Sequence, residues 1–206
     1  MLKRFFDMNN PLMQGLSTAA YLMILNLMAV LFSLPIVTAG AALIALHDVT
    51  RQMVRNEESY PAIMFIRSFR ENLKEGVIYG LIFILGFALV VMNYFAAAHV
   101  LPPFRYISIA IGILMLSLSF YTFALAADFK NSVFGTLKNA LMLMIGCFPQ
   151  TLGMTAFTVA FILAAVEFTQ IIAPLLIMFG IALPVYVSET LLRDVLKKFE
   201  MVNEDD

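Results

Sequence analysis

Residues 26–47 read Asn26-Leu-Met-Ala-Val-Leu-Phe-Ser-Leu-Pro-Ile-Val-Thr-Ala-Gly-Ala-Ala-Leu-Ile-Ala-Leu-His47. No charged side chain precedes His47, and Pro35 interrupts the run. Proline removes a backbone donor and disfavours helix at the residue before it. One helix therefore ends near Leu34 and a second starts near Thr38. The charge-free run around them spans residues 8–46, 39 in all, too long for a single crossing of about 20 residues. The second helix turns polar at His47, so its apolar part is too short to cross at full thickness. A short or re-entrant membrane helix is expected. The 35–40 break is expected to pack inside the bundle, because irregular backbone in lipid needs cover from protein or water.

Four more windows lack Asp, Glu, Lys, Arg and His: residues 76–98, 106–127, 139–166 and 168–188. Each is long enough to cross a bilayer core of about 30 Å. The whole chain is 62% hydrophobic and 13% charged, where soluble domains carry about 25% charged residues. Mean hydropathy is +0.90. The expected fold is an all-α membrane bundle of about five full spans plus the short Pro-broken helix, in one domain over residues 1–206. Its segments are 16–34, 38–55, an amphipathic 60–75, 76–98, 105–127, an amphipathic 130–145 leading into 146–166, 170–188, and an amphipathic 190–200.

Thirteen basic residues face fourteen acidic ones, so there is no basic excess to engage the phosphates of a nucleic acid. A single cysteine, Cys147, excludes an intramolecular disulfide framework. A cleavable leader is disfavoured. Lys3 and Arg4 resemble its basic end, but the apolar run far exceeds the 7–15 residues or so of such a leader.

Orientation follows the Lys and Arg count in short loops. Arg51, Arg55, Arg67, Arg70 and Lys74 lie between the first two windows, Lys130 and Lys138 between the third and fourth, and Arg193, Lys197 and Lys198 after the last. These segments are expected on the cytoplasmic side of the membrane. A hairpin at Pro35 would also bring Lys3 and Arg4 inside, and is preferred to a five-span chain with an outer N-terminus. Either way the C-terminus is cytoplasmic.

Reactive clusters are sparse. His47 and His99 fall on opposite sides of the membrane in this reading. There is no His-Glu-x-x-His or Cys-x-x-Cys spacing for zinc, no Walker loop and no nucleophile elbow. No catalytic role and no cofactor is expected. Asp128, Glu167 and Glu189 are the functional candidates, since charge inside a membrane is functional by default. Each sits at a predicted boundary, where an interfacial or capping role is the simpler reading. Gly76-x-x-x-Gly80 offers one small-residue contact surface.

The stretch 26–76 resembles the YesL family of bacterial integral membrane proteins, a family of unknown function. The resemblance rests on Asn26 in the first span, on Leu34-Pro35-x-x-Thr38-x-Gly40, on the Ala-Leu helix that follows, and on Phe65-x-x-x-Phe69-x-x-Asn72. Genes of that family often lie beside carbohydrate ABC importer genes. The resemblance thus implies a non-catalytic accessory subunit that touches lipid and an importer's permease subunits. The broken helix suggests the alternative of a small transporter or channel with its site at Pro35–Gly40. The oligomeric state stays open in both readings.

Overall fold

The computed structural model describes residues 11–57, 60–100 and 103–204. Every regular element among them is helical. In chain order these are α1 (Pro11–Phe32), a 3₁₀ turn (Ile36–Thr38), α2 (Ala39–Arg55), α3 (Pro61–Glu71), α4 (Leu73–Val100), α5 (Phe104–Asp128), α6 (Val133–Gly146), α7 (Phe148–Glu167), α8 (Thr169–Phe179) and α9 (Ala182–Glu204). Four of them, α1, α4, α5 and α7, are long and apolar enough to cross a membrane. The pair α8 and α9, bent by 53° at its break, would make a fifth.

Local chemistry sets the boundaries. Pro61 and Pro149 open α3 and α7, at positions where a helix has no partner for the missing N–H. The Ser132 hydroxyl accepts from Gly135 N–H at 3.2 Å and caps α6. Asn56 closes α2 in the left-handed region, with φ 57°, which Asn tolerates better than most residues.

The helix α2 lies at the centre, packed by α1, α3, α4, α5 and α9. Ala41, Ala42, Ile44, Ala45, Leu46 and Val49 are wholly buried there. Small residues set how close its neighbours come. Gly40 lies against the backbone of Gly76 and Gly80, and a Cβ on Gly40 would stand 2.6 Å from Gly80 N. The Gly-x-x-x-Gly pair of α4 therefore receives the first turn of α2.

The segment between α1 and α2 departs from expectation in two ways. Leu34, Pro35, Ile36 and Val37 are exposed rather than packed inside the bundle. The turn needs little cover because it closes on itself: the Thr38 hydroxyl lies 2.7 Å from Phe32 O and 2.8 Å from Pro35 O. It also lies at the end of the bundle where α4 begins. The Phe32 ring meets Phe65 and Phe69 of α3 edge-on, at 5.7 and 4.8 Å between centroids. A hairpin would have put the turn at the far end of α4, near Tyr94. The glycine crossing at Gly40 and the aromatic clamp hold it at the near end instead.

The C-terminal region is also divided differently. Residues 170–188 are not one span followed by a separate helix at 190–200. The chain bends at Gly180–Ile181, and α9 then runs unbroken from Ala182 to Glu204. Pro184 has no N–H to continue the ladder of α8 across this point.

Candidate functional site

Helix α2 carries His47, Arg51 and Arg55 at four-residue intervals, one stripe on a helical surface. On a surface helix this stripe would face water. Here it faces the bundle. His47 is 1% exposed and Glu189 of α9 is 1% exposed. His47 Nδ1 lies 2.6 Å from Glu189 Oε1. Glu189 Oε2 is buried without a hydrogen-bond partner among the described residues. One turn further along α2, Arg51 pairs with Asp128 at the end of α5 and lies 3.1 Å from Asp48. Gln52 Nε2 donates to the same Asp48 oxygen at 2.9 Å.

Burying such groups is costly. Even a well-made buried pair often stabilises less than apolar residues of the same volume. In a bundle whose helices are long and apolar enough to cross a membrane, such groups are functional candidates by default.

His47 forms part of the wall of a cavity of about 660 Å³. Its ring lies edge-on to Phe120, at 6.0 Å between centroids, and stacks on Phe123 at 6.3 Å. Helix α4 supplies Phe83 and Phe87, α7 supplies Phe161 and Ile162, and Pro184 and Val185 of α9 close another side. Ser119 and Thr158 also face it, but their hydroxyls donate to Leu116 O and Met154 O. Among the described residues the lining is thus apolar and aromatic, with one unspent polar group on the imidazole. Few convergent polar groups in an apolar concavity is the ordinary make-up of a small-molecule site.

The residues singled out from sequence divide between site and scaffold. Gly40 lines the cavity, whereas Leu34, Pro35 and Thr38 belong to the peripheral turn. Asn26 bridges the α8–α9 bend. Its Nδ2 donates to Ile177 O at 2.8 Å, and its Oδ1 accepts from Ile181 N and Ala182 N at 2.7 and 3.0 Å. One side chain so satisfies three backbone groups that the bend releases. Phe65 and Phe69 clamp Phe32, and Asn72 ends α3 by donating to Ser68 O at 3.0 Å. Glu167 is exposed at the end of α7, as a terminal residue would be. Glu189 is neither interfacial nor a cap, and Asp128 is held by Arg51. The interfacial reading fails for Glu189, whose partner His47 is buried and 142 residues away in sequence, whereas Asp128 stays at the end of α5, half-buried against Arg51. The side chains of Lys3, Arg4 and His99 lie outside the described residues. Among those described, no three His, Cys, Asp or Glu are grouped to hold a metal ion.

His47 and Arg51 were missed as site residues. The available signal was their spacing with Arg55 on a helix whose first eight residues, Ala39 to Leu46, are apolar or small.

Residues 20–94 match the model of a family described as a protein of unknown function, DUF624. No curated protein and no solved structure matches the chain. The matched region holds α2, α3 and most of α1 and α4, and with them His47 and Arg51. Their partners Glu189 and Asp128 lie beyond it.

Proposed function

We propose that this chain is a small transport protein of the bacterial cytoplasmic membrane, related to the YesL family, whose working site is the cavity beside His47. One observation carries the reading: a fully buried His–Glu pair at the wall of an apolar cavity, within helices of membrane character. The site differs from the Pro35–Gly40 break itself. It sits two turns further along α2 and shares Ala39 and Gly40 with that break. The half-buried Arg51–Asp128 pair extends the polar groups from the cavity toward the basic end of the bundle.

In this reading there are five crossings, and α2 is a short central helix that starts after the Pro35 turn. The end bearing Arg67, Arg70, Lys130 and Lys138 is cytoplasmic, and so is the C-terminus. Because the turn after α1 lies at that same end, the Pro11 end of α1 is outside.

The test is flux in proteoliposomes for protons, sodium, potassium, maltose and a fluorescent long-chain alcohol. At least one should move, and Thr158→Phe, which fills the cavity, should stop it. No movement of any of these would overturn the reading.

A second reading has its own support. The outer face of α3 exposes Ile63 at 65%, beside Arg67, which pairs with Glu71 at 3.0 Å. Such an amphipathic face suits contact with another subunit. With the YesL resemblance, it supports an accessory role on a carbohydrate ABC importer. Co-purification of a tagged chain from native membranes should then recover a permease, and its absence would exclude this role.

A further inference from the structure

We propose that the cavity takes an uncharged, lipid-soluble alcohol or phenol from the bilayer, with its hydroxyl donating to His47 Nε2. The inference rests on the transport reading for the site and adds the class of its substrate.

Three observations lead to this class. First, the mouth is apolar. The most exposed lining residues are Ile162 at 48% and Val166 at 68%, both on the flank of a membrane-length helix. A ligand passing them arrives from hydrocarbon, which selects a lipophilic body. Second, the wall contains no Asp, Glu, Lys or Arg among the described residues. An ionised head would enter without a countercharge, a heavy cost in a low-dielectric site. Third, the hydroxyls of Ser119 and Thr158 are spent on their own helices, while His47 Nε2 has no hydrogen-bond partner among the described residues. When Nδ1–H donates to Glu189 Oε1, the neutral ring offers its Nε2 lone pair to the cavity. The partner it calls for is a single donor, and a hydroxyl supplies one without charge. A cavity of about 660 Å³ accommodates a molecule of drug size.

The orienting role of Glu189 follows from the same geometry. A carboxylate on one ring nitrogen fixes which nitrogen is the acceptor. Glu189→Gln frees the tautomer, so it should weaken hydroxyl binding without touching the cavity wall.

The test uses the full chain in lipid nanodiscs and three photoreactive probes of equal length: a long-chain alcohol, its methyl ether and the parent hydrocarbon. The alcohol should label α2 and α7 about tenfold more than the ether, a difference in line with one buried hydrogen bond. Thr158→Phe should abolish that labelling. His47→Gln, and separately His47→Leu combined with Glu189→Leu, should bring the alcohol down to the level of the ether. Competition by an isoprenoid alcohol or by a lipid-soluble hydroquinone then distinguishes the two natural sources of such a head. Equal labelling by all three probes, or a preference that survives both His47 variants, overturns the inference. If the alcohol binds as stated but nothing crosses the membrane, transport fails and the site assignment stands. If another solute crosses and the alcohol does not bind, the substrate class fails and transport stands.

Discussion

His47 and Glu189 stand 142 residues apart in the chain, and their side chains meet at 2.6 Å in the buried centre of the bundle. This contact ties α2 to α9 and sets an imidazole against an apolar cavity. Losing one member leaves the other buried without its partner. His47→Leu or Glu189→Leu alone should therefore destabilise the protein by about 3–5 kcal/mol, as for other buried pairs. Equilibrium unfolding in mixed micelles measures the loss. Two single variants within about 0.5 kcal/mol of the parent, the range of ordinary surface substitutions, would show that the pair is not buried as described.

The crossing at Gly40 should tolerate no side chain. Alanine in a helix gains about 1 kcal/mol over glycine. Against this, a Cβ at Gly40 meets the backbone of α4, 2.6 Å from Gly80 N and 2.7 Å from Gly80 Cα. Neither helix can yield as a flexible side chain would. Overpacking of this kind costs about 1–3 kcal/mol or more, so Gly40→Ala should be net destabilising. Gly146→Ala, where nothing stands within 4 Å, is the matched control and should be neutral or stabilising.

Asn26 should be worth more than its size suggests. Asn26→Leu strands Ile181 N–H, Ala182 N–H and Ile177 C=O at the bend. Each buried unpaired group costs about 1–3 kcal/mol, so a total loss of about 3 kcal/mol or more is expected. Asn26→Asp keeps the acceptor for both N–H groups and should lose less. Amide exchange at Ile181 and Ala182 reads this directly, and it should accelerate in the Leu variant well beyond the Asp variant.

The position of the α1–α2 turn sets which sites share a face. In a Cys147→Ser background, Val37→Cys and Asn131→Cys should both escape an impermeant maleimide in intact cells and react after permeabilisation. Glu167→Cys should react in intact cells. Labelling of Val37→Cys together with Glu167→Cys would restore the hairpin and reverse α1.

Much of this architecture is visible in the linear sequence. The expected spans 16–34, 76–98, 105–127 and 146–166 become α1, α4, α5 and α7 with ends shifted by a few residues, because crossing length is a local property of the chain. Pro35 marks the end of α1 for the same reason. The α8–α9 bend escapes, since the window 168–188 runs straight over Gly180 and counting charges is blind to a kink made by uncharged residues. Glu189 is legible as a candidate, but its burial is not, because that depends on α2 arriving from 142 residues away. His47 is harder still. In sequence it reads as the point where a helix leaves the membrane, and only the packing of five helices around α2 turns that polarity inward. Asn26 belongs to the same class: the motif shows the side chain, and the fold shows the three backbone groups it serves.

The most direct measurement pairs stability with function in the double variant His47→Leu, Glu189→Leu. Replacing a buried polar pair by apolar residues of similar bulk is often neutral or stabilising. The account predicts a protein that unfolds no earlier than the parent, yet has lost the labelling preference for the long-chain alcohol and any flux that Thr158→Phe also blocks. A double variant that stays folded and keeps both would contradict it, and would leave the pair as packing alone.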